Sequence, residues 1–349
     1  PEAKKFFADL FDVKEKQLIL GGNSSLTMMY DTIAKAYTHG MYEGATPWGK
    51  LPKVKFLCPS PGYDRHFAIS EHFGMELITV PMKEDGPDMD LVEKLCEDEA
   101  VNGIWCVPKY SNPEGKSYSD AVVRRFAALS PAAKDFRIIW DNAYAIHHLG
   151  EDHDHLLNIL EECEKAGNPD LALMFASTSK VTYPGGGVAL MAASESNIAY
   201  IKKLMFFQTI GPDKINQLRH VRFFKDKTGV IEHMKRQAGI IRPKFEAVLK
   251  ALSAELAELG IADWVEPNGG YFISVNVFKG CAKRTVALAK EAGVVLTGAG
   301  ATYPYGNDPE DKNIRIAPTF PPVSELETAI TLFCVCARLA TAEKLLIKE

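Results

Sequence analysis

Short runs of Val, Ile, Leu and Phe recur between longer amphipathic stretches: KVKFLC (53–58), LITVPM (77–82), NGIWCVP (102–108), RIIWD (137–141), LALMFAS (171–177) and GVALMAAS (187–194). Each is too short for a buried helix and lacks strict polar alternation, which is the pattern of strands covered on both faces. Helix-like segments, such as Leu91–Glu99 and Ala121–Leu129, lie between them. Strand and helix in alternation specify an α/β domain, a mostly parallel sheet flanked by helices.

The grammar changes after residue 230. A helical pattern runs from about Val230 to Leu259 and stops at Gly260, a residue suited to the left-handed position that ends helices. Beyond it come two alternating strand-like segments, YFISVNV (271–277) and NIRIAP (313–318), and a helix from about Ser324. The chain therefore divides into a large domain over 1–235 and a smaller α+β domain over 236–349, and 349 residues are enough for both.

Composition excludes several functions. The net charge is −5 and basic residues are scattered, so no electrostatic footprint for nucleic acid exists. Seven cysteines, an odd number without a CxxC spacing, read as reduced thiols, most of them small core residues. No apolar stretch approaches the ~20 residues of a membrane span, and no signal pattern opens the chain, which reads as cytoplasmic. His147, His148, His153 and His155 in HHLGEDHDH read as part of a hydrophilic loop, and no metal is expected there.

In an open parallel sheet, ligands sit beyond the carboxyl ends of the strands. Lys180 follows the run LALMFAS and two serines, Ser177 and Ser179, and precedes a Gly-rich turn. Desolvation there is expected to lower its pKa and free the amine for attack on an aldehyde. Asp141 ends RIIWD, with Tyr144 three residues on; a buried carboxylate at that place needs a cationic partner, and a pyridinium nitrogen would serve. In LILGGNSSL, Gly22, Asn23, Ser24 and Ser25 open a helix whose amides suit a phosphate. Asn112 lies in an Asn-Pro turn after NGIWCVP, and Arg315 lies inside a strand where its guanidinium suits a carboxylate. One at a time, these motifs are also explained by a snorkelling lysine, N-capping residues, a plain turn and an internal ion pair.

Taken in order, GGNSS, SPGY, SNPEG, DNAY, STSK and IRIAP resemble the motifs of the class I/II aminotransferases of pyridoxal phosphate (PLP) fold type I, over nearly the whole chain. Details around the GGG turn and in GPDKINQLRHVRFF look most like a divergent bacterial branch of aspartate aminotransferases. The resemblance implies PLP as cofactor, held by Lys180 as a Schiff base, with Lys180 then moving the proton between substrate and cofactor. It implies that Asp141 pairs with the ring nitrogen, Tyr144 and Asn112 bond the ring's phenolic oxygen, and Tyr63 stacks on its face. Gly22, Asn23, Ser24, Ser25, Ser177 and Ser179 would hold the phosphate, and Asn112 and Arg315 the substrate.

The implied reaction moves an amino group from aspartate to 2-oxoglutarate with ping-pong kinetics. The family also implies a homodimer with shared active sites, and an N-terminal part of the small domain that this sequence lacks. One departure stands out: where many members carry a phosphate-binding Arg, this chain has Gly187 and Val188. Lys214, Arg219 and Arg222 are candidates for the substrate's second carboxylate, although a solvated helix explains them equally. Other readings are a different PLP reaction on the same fold, a non-catalytic effector-binding domain of the aminotransferase type, and a nucleotide-binding Rossmann enzyme. The last lacks a GxGxxG and leaves Lys180 without a task.

Overall fold

A computed structural model describes residues 1–347. The apolar runs become β1 (Leu18–Leu20), β2 (Lys55–Ser60), β3 (Glu76–Pro81), β4 (Val101–Cys106), β5 (Arg137–Asp141), β6 (Ala172–Ser177) and β7 (Ala189–Ala192). They form one seven-stranded sheet in the order β1-β7-β6-β5-β4-β2-β3. Every neighbouring pair from β3 to β6 is parallel, whereas β7 is antiparallel to both β6 and β1.

Side chains of a strand point alternately to its two faces, and here both faces are covered. Ile138, Trp140, Met174 and Phe126 belong to one core cluster, while Ile139, Phe175, Trp105 and Met29 belong to the cluster on the other side. This two-sided burial is why the strands read as continuous apolar runs. All seven cysteines are unpaired and buried. Among the described residues no helix is long and apolar enough to cross a membrane.

A second sheet, β10-β9-β8, is built from β8 (Ala262–Trp264), β9 (Ile273–Val277) and β10 (Asn313–Ile316), all antiparallel. Helices Lys227–Leu256, Ala282–Glu291 and Val323–Leu346 accompany it. The first of these starts three residues before the expected Val230, because the Asp226 carboxylate accepts from Gly229 N at 2.9 Å and caps it. It passes through a 3-10 turn at Ala257–Leu259 to Gly260, whose φ of 63° provides the left-handed stop. Its early residues Val230 and Met234 join the core of the large sheet; Phe245, Val248, Leu252 and Leu256 join that of the small one.

Boundaries differ from the sequence reading where caps decide them. The helix expected over Leu91–Glu99 occupies Met89–Leu95, capped by Asp88, and that expected over Ala121–Leu129 occupies Asp120–Ala127, capped by Ser119. Phe126 on the latter is fully buried, stacked on Tyr118 at 6.0 Å and edge-on to Trp140 of β5 at 5.9 Å. Phe126→Ala is expected to lower unfolding stability by about 3–5 kcal/mol, read by denaturant titration.

Candidate active site

The carboxyl ends of β4, β5 and β6 bring the sequence candidates together. Asp141 is the last residue of β5 and is 3% exposed. One carboxylate oxygen, Oδ2, lies 3.0 Å from His66 Nε2; the other, Oδ1, is buried and has no hydrogen-bond partner. His66 belongs to helix Asp64–His72 and stacks on Trp105 of β4, with ring centroids 4.4 Å apart and planes 10° from parallel. A buried carboxylate with one oxygen oriented and the other unmet suits a cationic N–H donor, and the donor set fits a protonated pyridine ring. His66 was not singled out from the sequence, although it stands three residues after Tyr63 in the SPGY motif. Tyr63 immediately precedes that helix and meets His66 edge-on at 4.9 Å.

Lys180 closes the 3-10 turn Thr178–Lys180 that follows β6. Its Nζ donates to Tyr144 Oη at 3.0 Å and sits 4.2 Å from the Tyr144 ring centroid. The expectation of a lowered pKa reverses here. Burial alone pushes the amine down, but Tyr144 and Asp141, followed by Tyr63, outweigh it, and the balance is raised above the ordinary lysine value. Charge pairing wins over desolvation because the acidic groups surround the amine on the same strand ends.

Two residues missed in the sequence support this centre. Tyr271, at the entry to β9, donates its hydroxyl to Lys180 O at 2.8 Å. His147 is buried rather than part of a hydrophilic loop, and neither ring nitrogen has a partner. Its ring meets those of Tyr144 and Tyr271 edge-on, and burial, aided by the Lys180 charge, pushes its pKa down to about 3. The small-domain loop carrying Tyr271 approaches closely enough that a Cβ on Gly269 would lie 2.4 Å from the Tyr110 ring. Only glycine permits that approach, a cue that Asn268-Gly269-Gly270 holds in retrospect.

The residues expected to hold a phosphate are arranged around Asn23. Its carbonyl accepts from Ser177 Oγ at 2.7 Å and Ser179 Oγ at 2.5 Å, and its amide donates to Gly185 O at 3.0 Å. Gly22 precedes it, and Ser24 and Ser25 open helix Ser25–His39. The missing Arg has a steric reason at 187, where a Cβ would lie 2.4 Å from Ser179 N. Val188, buried at 1% exposure, packs into the core and donates its N–H to Thr178 Oγ1 at 2.8 Å.

Arg315 on β10 reaches the site from the small domain. Nη1 donates to Asp64 Oδ1 at 2.9 Å and Asn112 Oδ1 at 3.1 Å, and Nε is buried without an acceptor. Of the three other cations considered, Arg222 pairs with Glu2 at 3.3 Å, and Arg219 donates to Asn216 at 2.6 Å beside the Tyr183 ring. Lys214 opens helix Lys214–Phe224. In the histidine segment His148 stacks on His153 and His155 pairs with Asp120 at 3.1 Å. Among the described residues, no group of three or more His, Cys, Asp or Glu is placed to hold a metal.

A mostly parallel seven-stranded sheet flanked by helices, carrying this lysine at its carboxyl edge, is the architecture of fold type I aminotransferases. The crystal structure of an aspartate transaminase from Corynebacterium glutamicum superposes with a TM-score of 0.97 at 47% identity, covering 98% of this chain and 81% of that one. A family model described as "Aspartate amino-transferase" matches residues 1–349. The chain belongs to the aspartate aminotransferase family, and it is an aminotransferase. A relative from Mycolicibacterium smegmatis that also bears an aminotransferase name is 51% identical over 347 residues, 99% of this chain and 81% of its own length. More distantly, the α-aminoadipate aminotransferase of Thermus thermophilus, solved with N-(5'-phosphopyridoxyl)-L-leucine, shares the fold at TM-score 0.79 and 21% identity, covering 98% of this chain and 82% of that one.

His66→Phe keeps a ring against Trp105 but leaves the buried Asp141 carboxylate without its donor. The expected loss of stability is about 1–3 kcal/mol in urea unfolding, since stranding a buried charged acceptor costs its desolvation. Unchanged stability would show that Asp141 does not depend on the imidazole.

Proposed function

We propose that this enzyme is a PLP-dependent aspartate transaminase, passing the amino group of aspartate to 2-oxoglutarate with ping-pong kinetics. The observation that carries the cofactor is Asp141 Oδ1, buried and unmet at the strand end that also faces the Lys180 amine. PLP supplies an aldehyde for the amine and, once its ring is protonated, withdraws electrons from the substrate α-carbon. Asp141 would pair with that ring nitrogen, and His66 and Trp105 hold Asp141. Tyr63 would cover the ring, while Tyr144 and Asn112 would bind its phenolic oxygen.

Lys180 would hold the cofactor and afterwards act as the base toward the substrate α-proton, and Tyr144 orients its amine. Gly22, Asn23, Ser24, Ser25, Ser177 and Ser179 cradle the phosphate. Arg315 takes the substrate α-carboxylate, and Asn112 steadies the guanidinium. Aspartate as the amino donor rests on the name of the Corynebacterium glutamicum relative, 47% identical over 342 residues.

The same reading includes a cytoplasmic homodimer with shared sites, and a functional division into 1–235, carrying the cofactor, and 236–349, carrying Arg315. Support for the dimer comes from an apolar row beside the phosphate turn. Phe206, Phe207, Ile210 and Ile215 are 78%, 85%, 105% and 78% exposed, more than a soluble monomer leaves clustered without use.

Mixed with PLP, the protein is expected to develop a visible absorption band that moves to shorter wavelength on adding aspartate. Borohydride should fix the label on Lys180, and Lys180→Met should cost about 10²–10⁴-fold in turnover. Because the Lys180 pKa is raised, its interactions stabilise the fold below the ordinary lysine value and fade as pH rises through the raised one. Only the neutral amine attacks an aldehyde, so cofactor capture should quicken as pH rises from neutrality. A protein that stays colourless in excess PLP overturns the proposal; coloured protein that prefers another amino acid in a substrate panel overturns aspartate alone.

A further inference from the structure

A cavity of about 320 Å³ lies between the sheet and the first turns of helix Lys227–Leu256. Trp140 and Asn142, which flank Asp141 and point to the opposite side from it, line the cavity together with Met174 from β6. Ile146 supplies another wall, and Met234 and Ala238 come from the long helix. The volume is at the lower end of the roughly 300–1,000 Å³ typical of small-molecule pockets, and the walls are mainly apolar.

The cations around it are not equivalent. Lys227 is paired with Asp12 at 2.8 Å, Lys235 lies 4.0 Å from Glu232, and Arg242 donates through Nε to the Leu149 carbonyl. Lys109 is different. It is 9% exposed, it lines the cavity, and among the described residues its amine makes neither a hydrogen bond nor an ion pair. Its amine lies 5.4 Å from the Tyr110 ring centroid, and burial holds its pKa below the ordinary lysine value. The Asp154 charge offsets part of that burial without bonding the amine, which leaves its N–H donors unused. An anion in the cavity would give those donors an acceptor. Asp12 and Glu151 also line the space and would repel a second negative charge.

We propose that this cavity is a binding site for a small amphipathic monocarboxylate, its carboxylate on Lys109 and its apolar body against Trp140, Ile146, Met174 and Met234. The ligand would be distinct from the amino acid substrate, whose carboxylate goes to Arg315 across the sheet. Lys109 lies three residues before Asn112, and Asn142 follows Asp141, so the ligand would touch two segments that also build the catalytic site.

The test is calorimetric titration of the PLP-loaded enzyme with hydrocinnamate and with its neutral amide, hydrocinnamide. Hydrocinnamate should bind and the amide should bind at least roughly tenfold more weakly. Lys109→Met should weaken hydrocinnamate by a similar factor, Lys109→Arg should retain it, and Ala238→Phe, which fills the space, should abolish it. Arg315→Leu should leave it intact. Thermal melting of each variant, with Lys109→Arg as the charge-preserving control, separates loss of the site from loss of the fold. Equal binding of acid and amide, unchanged binding to Lys109→Met, no binding to the wild type, or loss in Arg315→Leu would each overturn the proposal.

Discussion

A carboxylate buried at the end of a central strand is the constraint on which this site depends. Asp141 can remain there only with partners, because a buried charge without hydrogen bonds is expelled or neutralised. The protein supplies one partner, His66, and fixes its ring by stacking it on Trp105. The other oxygen is left unmet. That asymmetry gives Asp141 a direction: one oxygen is anchored in the fold, and the other keeps its acceptor capacity at a strand end whose charge reaches the Lys180 amine. The same negative charge helps to keep the Lys180 amine protonated, so one acidic group organises both ends of the site.

The small domain is tied to this centre through polar contacts as well as packing. Arg315 carries a guanidinium from β10 to Asp64 on the helix that bears His66, and to Asn112 beyond β4. Tyr271 reaches the backbone of Lys180 from the start of β9. An arginine held by a carboxylate and an amide has its orientation fixed, so a carboxylate binding to it would lose less entropy. Asp64 is the cost of that arrangement, since it competes for the same cation.

Much of the architecture was legible because burial leaves a strong imprint on composition. RIIWD is β5 without adjustment, and LALMFAS differs from β6 by one residue. The strand expected over 187–194 shrinks to Ala189–Ala192 because Gly187 serves the turn against Ser179 and Ser194 caps the next helix through Asn197 N. Lys180, Asp141, Tyr144 and Asn112 follow strands whose ends converge on one edge of a parallel sheet, and Arg315 joins Asn112 from β10 of the second sheet. His66, His147 and Tyr271 were illegible for a different reason. Their roles depend on contacts between segments far apart in sequence, and a lone histidine or tyrosine carries no local pattern. The sign of the Lys180 shift was misjudged because desolvation can be inferred from an apolar neighbourhood, whereas the acidic groups arrayed around the amine depend on tertiary placement.

The phosphate side reaches the same end by a different route. Ser177 and Ser179 donate to the Asn23 carbonyl, so the cradle is hydrogen-bonded within itself. For these hydroxyls to hold an anion they must exchange one acceptor for another, and the net gain of such an exchange is small, about 0.5–1.5 kcal/mol per bond. Helix Ser25–His39 provides what the hydroxyls do not. Its Ser24 side chain makes no capping bond, which leaves first-turn amides for an anion, and the helix dipole points its positive end the same way. With Gly187 too tightly packed to carry a side chain, an anion bound at this turn would draw on backbone amides and a dipole, which need no flexible cation to be ordered. A phosphate held in this manner would be positioned by the backbone of β1 and β6, the same sheet that positions Asp141.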